Sequence, residues 1–244
     1  MTQVAPGVMN QHLSVARELL DLRNIPSLFR HFARVEAHKE MFRRTKDIEA
    51  LVEFCIRIPL GALQVPEELN KFGQLISERP PARVLEIGTF RGGTLFFLCN
   101  LALSNAHIIS VDLPGGNFGG GYGLVRKPLF HRFVSEEQKL TLLRGDSHSR
   151  DTYEVVISEL RQHSLDLIFI DGDHSYIGSR RDFEMYGSLV RKGGMIAFHD
   201  IIEDPSRDRC QTHLLWKELK TSHHFCEIVH DRKQGWAGIG VLYA

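Results

Sequence analysis

Two short stretches concentrate the side chains that can move protons or hold a cation. One is Asp171-Gly172-Asp173-His174; the other is His199-Asp200. Carboxylates and imidazoles are the groups that exchange protons at mild pH and that ligate divalent ions. A third stretch, Glu86-Ile87-Gly88-Thr89-Phe90-Arg91-Gly92-Gly93, carries an apolar run into a glycine turn. Strand, glycine turn and helix together make a place where a ligand meets strand ends and a helix N-terminus. Asp112 stands 24 residues beyond Gly88, near the separation at which an open α/β sheet sets an acid against ribose hydroxyls. The dinucleotide fingerprint G-x-G-x-x-G is absent, because Thr89 follows Gly88, and this argues against a nicotinamide enzyme.

Each of these groups falls where an apolar run stops. Val84–Ile87 precedes Gly88, and Ala106–Val111 precedes Asp112. Leu140–Leu143 leads to Asp146-Ser147, Leu165–Ile170 to Asp171, and Met195–Phe198 to His199. Segments of helical length and spacing, 149–162 and 177–190, lie between them. Such alternation implies parallel strands joined by right-handed crossovers. Phe225–Val229 and Trp236–Leu242 read as two last strands joined by a tight turn over 231–235. The fold expected is α/β, a Rossmann-like doubly wound sheet of seven strands, mostly parallel with an antiparallel last strand. Helical patterns over 11–56, interrupted at Pro26 with Ser27 as the next cap, and a helix opened by Pro66 precede it. Residues 1–78 are read as an N-terminal helical cap and 79–244 as the core, in one structural unit.

Lys plus Arg and Asp plus Glu number 30 each in 244 residues, so no net field draws the chain to nucleic acid or an anionic membrane. No apolar run approaches membrane-spanning length, and no positive segment followed by an apolar one opens the chain. The four cysteines are scattered without C-x-x-C spacing, which fits reduced thiols in the cytoplasm. Arg43-Arg44-Thr45-Lys46 reads as a solvated helix end. The glycine-rich stretch Pro114–Gly123 reads either as a lid over a site or as a flexible crossover. Tyr176, Arg180 and Arg181 follow His174 on the next helix, the tyrosine placed for an acceptor pocket and the arginines for a solvated face.

Glu86-Ile87-Gly88-Thr89, with Gly92-Gly93, resembles the first motif of class I S-adenosylmethionine-dependent methyltransferases. Ile170-Asp171-Gly172-Asp173-His174-Ser175-Tyr176 and Gly193–Asp200 sharpen this to the metal-dependent O-methyltransferase subgroup. That subgroup includes macrolide-sugar and catechol-type enzymes and proteins labelled cephalosporin-hydroxylase-like. The resemblance covers roughly residues 64–242. It implies S-adenosylmethionine as cofactor, held by Glu86, Gly88, Thr89, Gly92, Asp112, Asp146, Ser147 and Asp171. It implies a divalent ion, Mg2+ or Mn2+, on Asp171, His199 and Asp200, and a general base at His174, so that Asp171 and His174 are the expected catalytic pair. The reaction implied is methylation of a hydroxyl on a small molecule: a sugar, a polyketide or a catechol-like ring. Relatives carry Asp-Asn or two acids where this chain has His199-Asp200. Imidazole either shifts the preference from magnesium toward manganese, iron or zinc, or points away and leaves no metal bound. Two other readings stand beside this one. His174, His199 and one acid make an iron triad for a hydroxylase or oxygenase, or the chain is a non-catalytic cofactor-binding relative. The N-terminal helices suggest a homodimer.

Overall fold

The computed structural model describes residues 25–57, 60–114 and 121–244. The helical reading of 11–24 and residues 115–120 of the glycine-rich stretch lie outside these.

Three helices come first: α1 (Ile25–Thr45), α2 (Ile48–Ile56) and α3 (Pro66–Glu78). Pro26 and Ser27 both sit in the first turn of α1, so Ser27 is not its cap. Proline fits there because the first amides of a helix have no internal partner to lose. Asp47 caps α2 by accepting from the Ala50 N–H at 3.0 Å. The Arg43–Lys46 cluster is exposed at the end of α1.

The sheet elements follow as β1 (Arg83–Ile87), α4 (Gly93–Leu101), β2 (His107–Asp112), α5 (Lys127–Phe130), β3 (Lys139–Arg144) and α6 (Arg150–Leu160). Then come β4 (Leu165–Ile170), α7 (Tyr176–Tyr186), β5 (Val190–His199), α8 (Thr212–Leu219), β6 (His224–Ile228) and β7 (Ile239–Tyr243). The seven strands lie in the order β3-β2-β1-β4-β5-β7-β6. β7 runs antiparallel to both neighbours, and the pairings among β1 to β5 are parallel. The chain winds outward from β1 to β3, then crosses to β4 on the other side of β1. Diverging connections at β1 and β4 open a crevice at their carboxyl ends.

Alternation along the strands divides the core into two layers. Val84, Ile108, Leu167 and Phe169 pack with residues of α1 to α4, whereas Leu85, Ile109, Ile168 and Ile170 pack against α6 to α8. The N-terminal helices therefore share a core with the sheet. Two expectations need correction. β5 begins at Val190, five residues before Met195, because pairing with β4 carries the polar Arg191-Lys192-Gly193-Gly194 into the strand. The β6–β7 connection is not a tight hairpin. It spans from Ile228 to Ile239 and is tied to α3 by buried Glu68, which accepts from the N–H groups of His230 and Gly238, both at 2.9 Å.

Candidate active site

β1 runs into Gly88 with φ +94°, a conformation that side chains avoid. A Cβ there would lie 2.1 Å from the Asp171 carbonyl oxygen, so glycine is what lets the ends of β1 and β4 close together. Gly92, at φ +89°, leaves similarly little room, since its Cβ would meet the Phe130 ring at 2.5 Å. α4 then starts with Gly93 and Thr94 on the wall of a cavity of about 660 Å³. That volume lies within the range of small-molecule sites.

Asp112 also faces this cavity, but its carboxylate is largely engaged. Oδ2 accepts from the N–H groups of Thr89 at 2.9 Å and Phe90 at 2.7 Å, and Oδ1 from that of Leu113 at 2.7 Å. It thus clamps the glycine turn to β2. Burial pushes the Asp112 carboxyl up, against these donors. Glu86 is fully buried and lies behind the cavity wall rather than on it; burial, with Asp112 nearby, raises its carboxyl well above the ordinary value. Gly88 and Thr89 line the cavity, and so do Asp146 and Ser147 at the end of β3. Gly92 supports the turn without lining the space.

The strand-end acids and histidines converge. His199 Nδ1 lies 3.2 Å from Asp171 Oδ1 and 3.3 Å from Asp200 Oδ1. His174 Nδ1 lies 3.0 Å from Asp200 Oδ2 and 3.9 Å from Asp171 Oδ1. Asp200 reaches both imidazoles from a left-handed backbone, φ +58°, a conformation Asp tolerates better than most residues. Burial opposes charge on these groups, yet their mutual attraction prevails. His199 rises well above the usual histidine value, His174 rises too, and Asp200 falls far below the carboxylate range. His199 points at the acids, not away from them. The two imidazoles fall into separate donor groups that share only Asp200, which disfavours the two-histidine iron triad.

Four residues of the site carried no sequence signal. Gln64, from the loop before α3, donates to Asp171 Oδ2 at 3.0 Å, and its buried Oε1 has no hydrogen bond. Arg207 approaches Asp200 Oδ1 at 3.8 Å, and Trp236 lines the cavity from the β6–β7 connection. His148 also faces the cavity, with Nε2 3.2 Å from fully buried Asp182 on α7. Tyr176 is not at the site: its hydroxyl donates to Glu218 on α8 at 2.6 Å, joined by Arg180 on the outer surface. Asp173 Oδ1 accepts from the Ser175 N–H and closes the turn into α7.

The Asp182 contact raises His148, more than burial lowers it, and Asp146 and Asp173 act in the same direction. A histidine raised by folding contributes stability that is full below its unfolded pKa of about 6.5 and is lost as pH rises through the folded value. Melting temperature followed from about pH 6 to pH 9 should therefore fall less steeply in His148→Gln than in the parent. Parallel curves would refute the pairing.

Residues 85–201 match the family model described as a methyltransferase domain. Over 124 residues the chain is 32% identical to the uncharacterized protein R132 of Acanthamoeba polyphaga mimivirus, covering 50% of this chain and 53% of that protein. The chain spans 14% and 53% of the lengths of the curated relatives it matches. Among solved structures, the O-methyltransferase from Bacillus cereus in complex with SAH aligns with a TM-score of 0.56 at 17% identity. That alignment covers 87% of this chain and all 100% of the other. The O-methyltransferase TomG from Streptomyces achromogenes, in complex with SAM, aligns with a TM-score of 0.55 at 16% identity, over 81% and 89% of the two chains. Residues 85–201 are thus similar to a methyltransferase domain, and the chain shares the fold of these two solved O-methyltransferases. Among the described residues, no helix is long and apolar enough to cross a membrane.

Proposed function

We propose that the protein methylates a hydroxyl of a small molecule, such as a sugar, polyketide or catechol-like acceptor, using S-adenosylmethionine. One observation carries the reading: a single cavity holds both the glycine turn and the His174–Asp200 pair. The cofactor, when bound, supplies a methyl group already activated by its sulfonium. The chain has then to bind it, orient the acceptor and take one proton. The turn at Gly88 and Thr89, whose own amides are committed to Val111 and Asp112, shapes the space for the cofactor's amino-acid end, and the N-terminus of α4 faces it. Asp112 fixes that turn and completes the ribose side, while Asp146 and Ser147 border the adenine. Asp200 accepts from His174 Nδ1–H, which leaves the Nε2 lone pair to receive the acceptor's proton and steadies the imidazolium that forms.

Asp171, His199 and Asp200 also fit a divalent ion. Their ligand atoms lie within 4.8 Å of one another, with His199 Nδ1 turned to both acids, and buried Asp200 Oδ1 has no hydrogen-bond partner. One imidazole and two carboxylates suit manganese better than magnesium. Such an ion would act as a Lewis acid that lowers the pKa of the acceptor hydroxyl. The free cysteines, Cys55, Cys99, Cys210 and Cys226, accord with work in the cytoplasm.

Titration calorimetry with S-adenosylmethionine, with and without Mn2+ or Mg2+, tests this directly. Saturable micromolar binding is expected, on the order of −8 kcal/mol. A folded protein that binds no cofactor under either condition would end the methyltransferase reading.

A further inference from the structure

We propose a second cation site beside the first, in which His174, Asp200 and Cys210 bind a thiophilic divalent ion of the zinc class. Asp200 is divided between two donor sets. Its Oδ1 faces His199, while Oδ2 lies 3.0 Å from His174 Nδ1 and 3.3 Å from Cys210 Sγ. The three ligand atoms of this second set all fall within 4.8 Å of one another. Zinc bonds of about 2.0–2.1 Å to N and O and about 2.3 Å to S, at tetrahedral angles, place N and O about 3.4 Å apart and O and S about 3.6 Å apart. An ion would therefore open the observed spacings by only about 0.3–0.4 Å.

The backbone holds this arrangement in place. The Gln211 N–H donates to the His174 carbonyl at 2.6 Å, and the Cys210 N–H to the Arg207 carbonyl at 2.8 Å. The thiol is thereby fixed beside the imidazole, next to the start of α7, where the Tyr176 N–H donates to Gln211 Oε1 at 3.3 Å. Cys210 is 4% exposed and Asp200 2%, so the pair is enclosed on the protein side. His174 and Asp200 still border the cavity, which leaves a fourth position open to water or a ligand. Thiolate, imidazole and carboxylate select zinc or cobalt over magnesium. Binding would break the Cys210 S–H and His174 Nδ1–H bonds, form the sulfur–metal and nitrogen–metal bonds, release the thiol proton to solvent and leave the neutral imidazole with its one proton on Nε2.

The consequence for catalysis rests on the methyltransferase reading; the binding does not. An ion on Nδ1 leaves the imidazole proton on Nε2, so His174 can no longer accept one from a hydroxyl. Zinc on this set would switch the base off.

Co2+ titration of the full chain tests the site without cofactor or acceptor. The expected result is a near-ultraviolet thiolate-to-cobalt charge-transfer band that saturates with one equivalent and is displaced by Zn2+. Cys210→Ser should abolish the band, and His174→Ala should weaken Co2+ binding at this set at least tenfold. Asp171→Asn, which removes a ligand of the neighbouring set and none of this one, should keep the band. No band in the parent protein, a band that survives in Cys210→Ser, or one lost in Asp171→Asn would each overturn the proposal. A clear band in a protein that binds no S-adenosylmethionine would instead overturn the methyltransferase reading alone.

Discussion

With His174 as the proposed base, His174→Gln should lower turnover by roughly 10²- to 10⁴-fold, the usual contribution of a positioned general base. Glutamine retains a polar side chain of similar reach but cannot accept the proton. Asp200 Oδ2 lies 3.0 Å from Nδ1, and in the proposed mechanism it orients the imidazole, so the loss should belong to the chemical step. Cofactor affinity by calorimetry should change by no more than about twofold, because the glycine turn and β2 clamp are untouched. The measurement is S-adenosylhomocysteine release with a hydroxylated acceptor that the parent methylates. Turnover equal to that of the parent would remove His174 as the base.

Gly88→Ala should destabilise the fold by roughly 2–6 kcal/mol, combining a left-handed backbone with a steric overlap. The added Cβ would meet the Asp171 carbonyl oxygen at 2.1 Å, its carbon at 2.5 Å and the Gly172 nitrogen at 2.9 Å. All of these are backbone atoms and cannot rotate aside. β1 and β4 would have to separate where Gly88 and Asp171 line the cavity, so binding of the proposed cofactor should fall with stability. Gly235→Ala is the control. Gly235 is also left-handed, at φ +72°, but nothing lies within 4 Å of a Cβ there. It should cost only about 1 kcal/mol. Equal losses for the two substitutions in denaturant unfolding would show that backbone conformation alone, and not the closure of β1 on β4, makes Gly88 necessary.

Much of the site was legible because strand ends are. An apolar run marks a buried strand, and the polar residue that stops it must stand at an edge of the sheet. Asp112, Asp146, Asp171 and His199-Asp200 were placed in this way, and each lines the cavity. Glu86 was less legible. It sits within the glycine motif yet is packed behind the wall, since strand alternation turns it to the opposite side from its neighbours. Tyr176 was misplaced toward the acceptor because its helix presents it to α8.

The sequence by itself determined the alternation of strands and helices, the glycine turn and the acids and imidazoles available to the site. Each follows from local rules: burial ends where polarity begins, and only glycine takes the backbone angle at position 88 without strain. Tertiary structure alone decided the partners. Gln64 meets Asp171 across 107 residues of chain, and Glu68 holds Gly238 across 170. Cys210 and Arg207 come to Asp200 from a connection with no periodic pattern. Such contacts depend on how loops close over the sheet. No spacing in the sequence encodes that closure, because it is set by which buried carboxylate finds a donor once the strands have assembled.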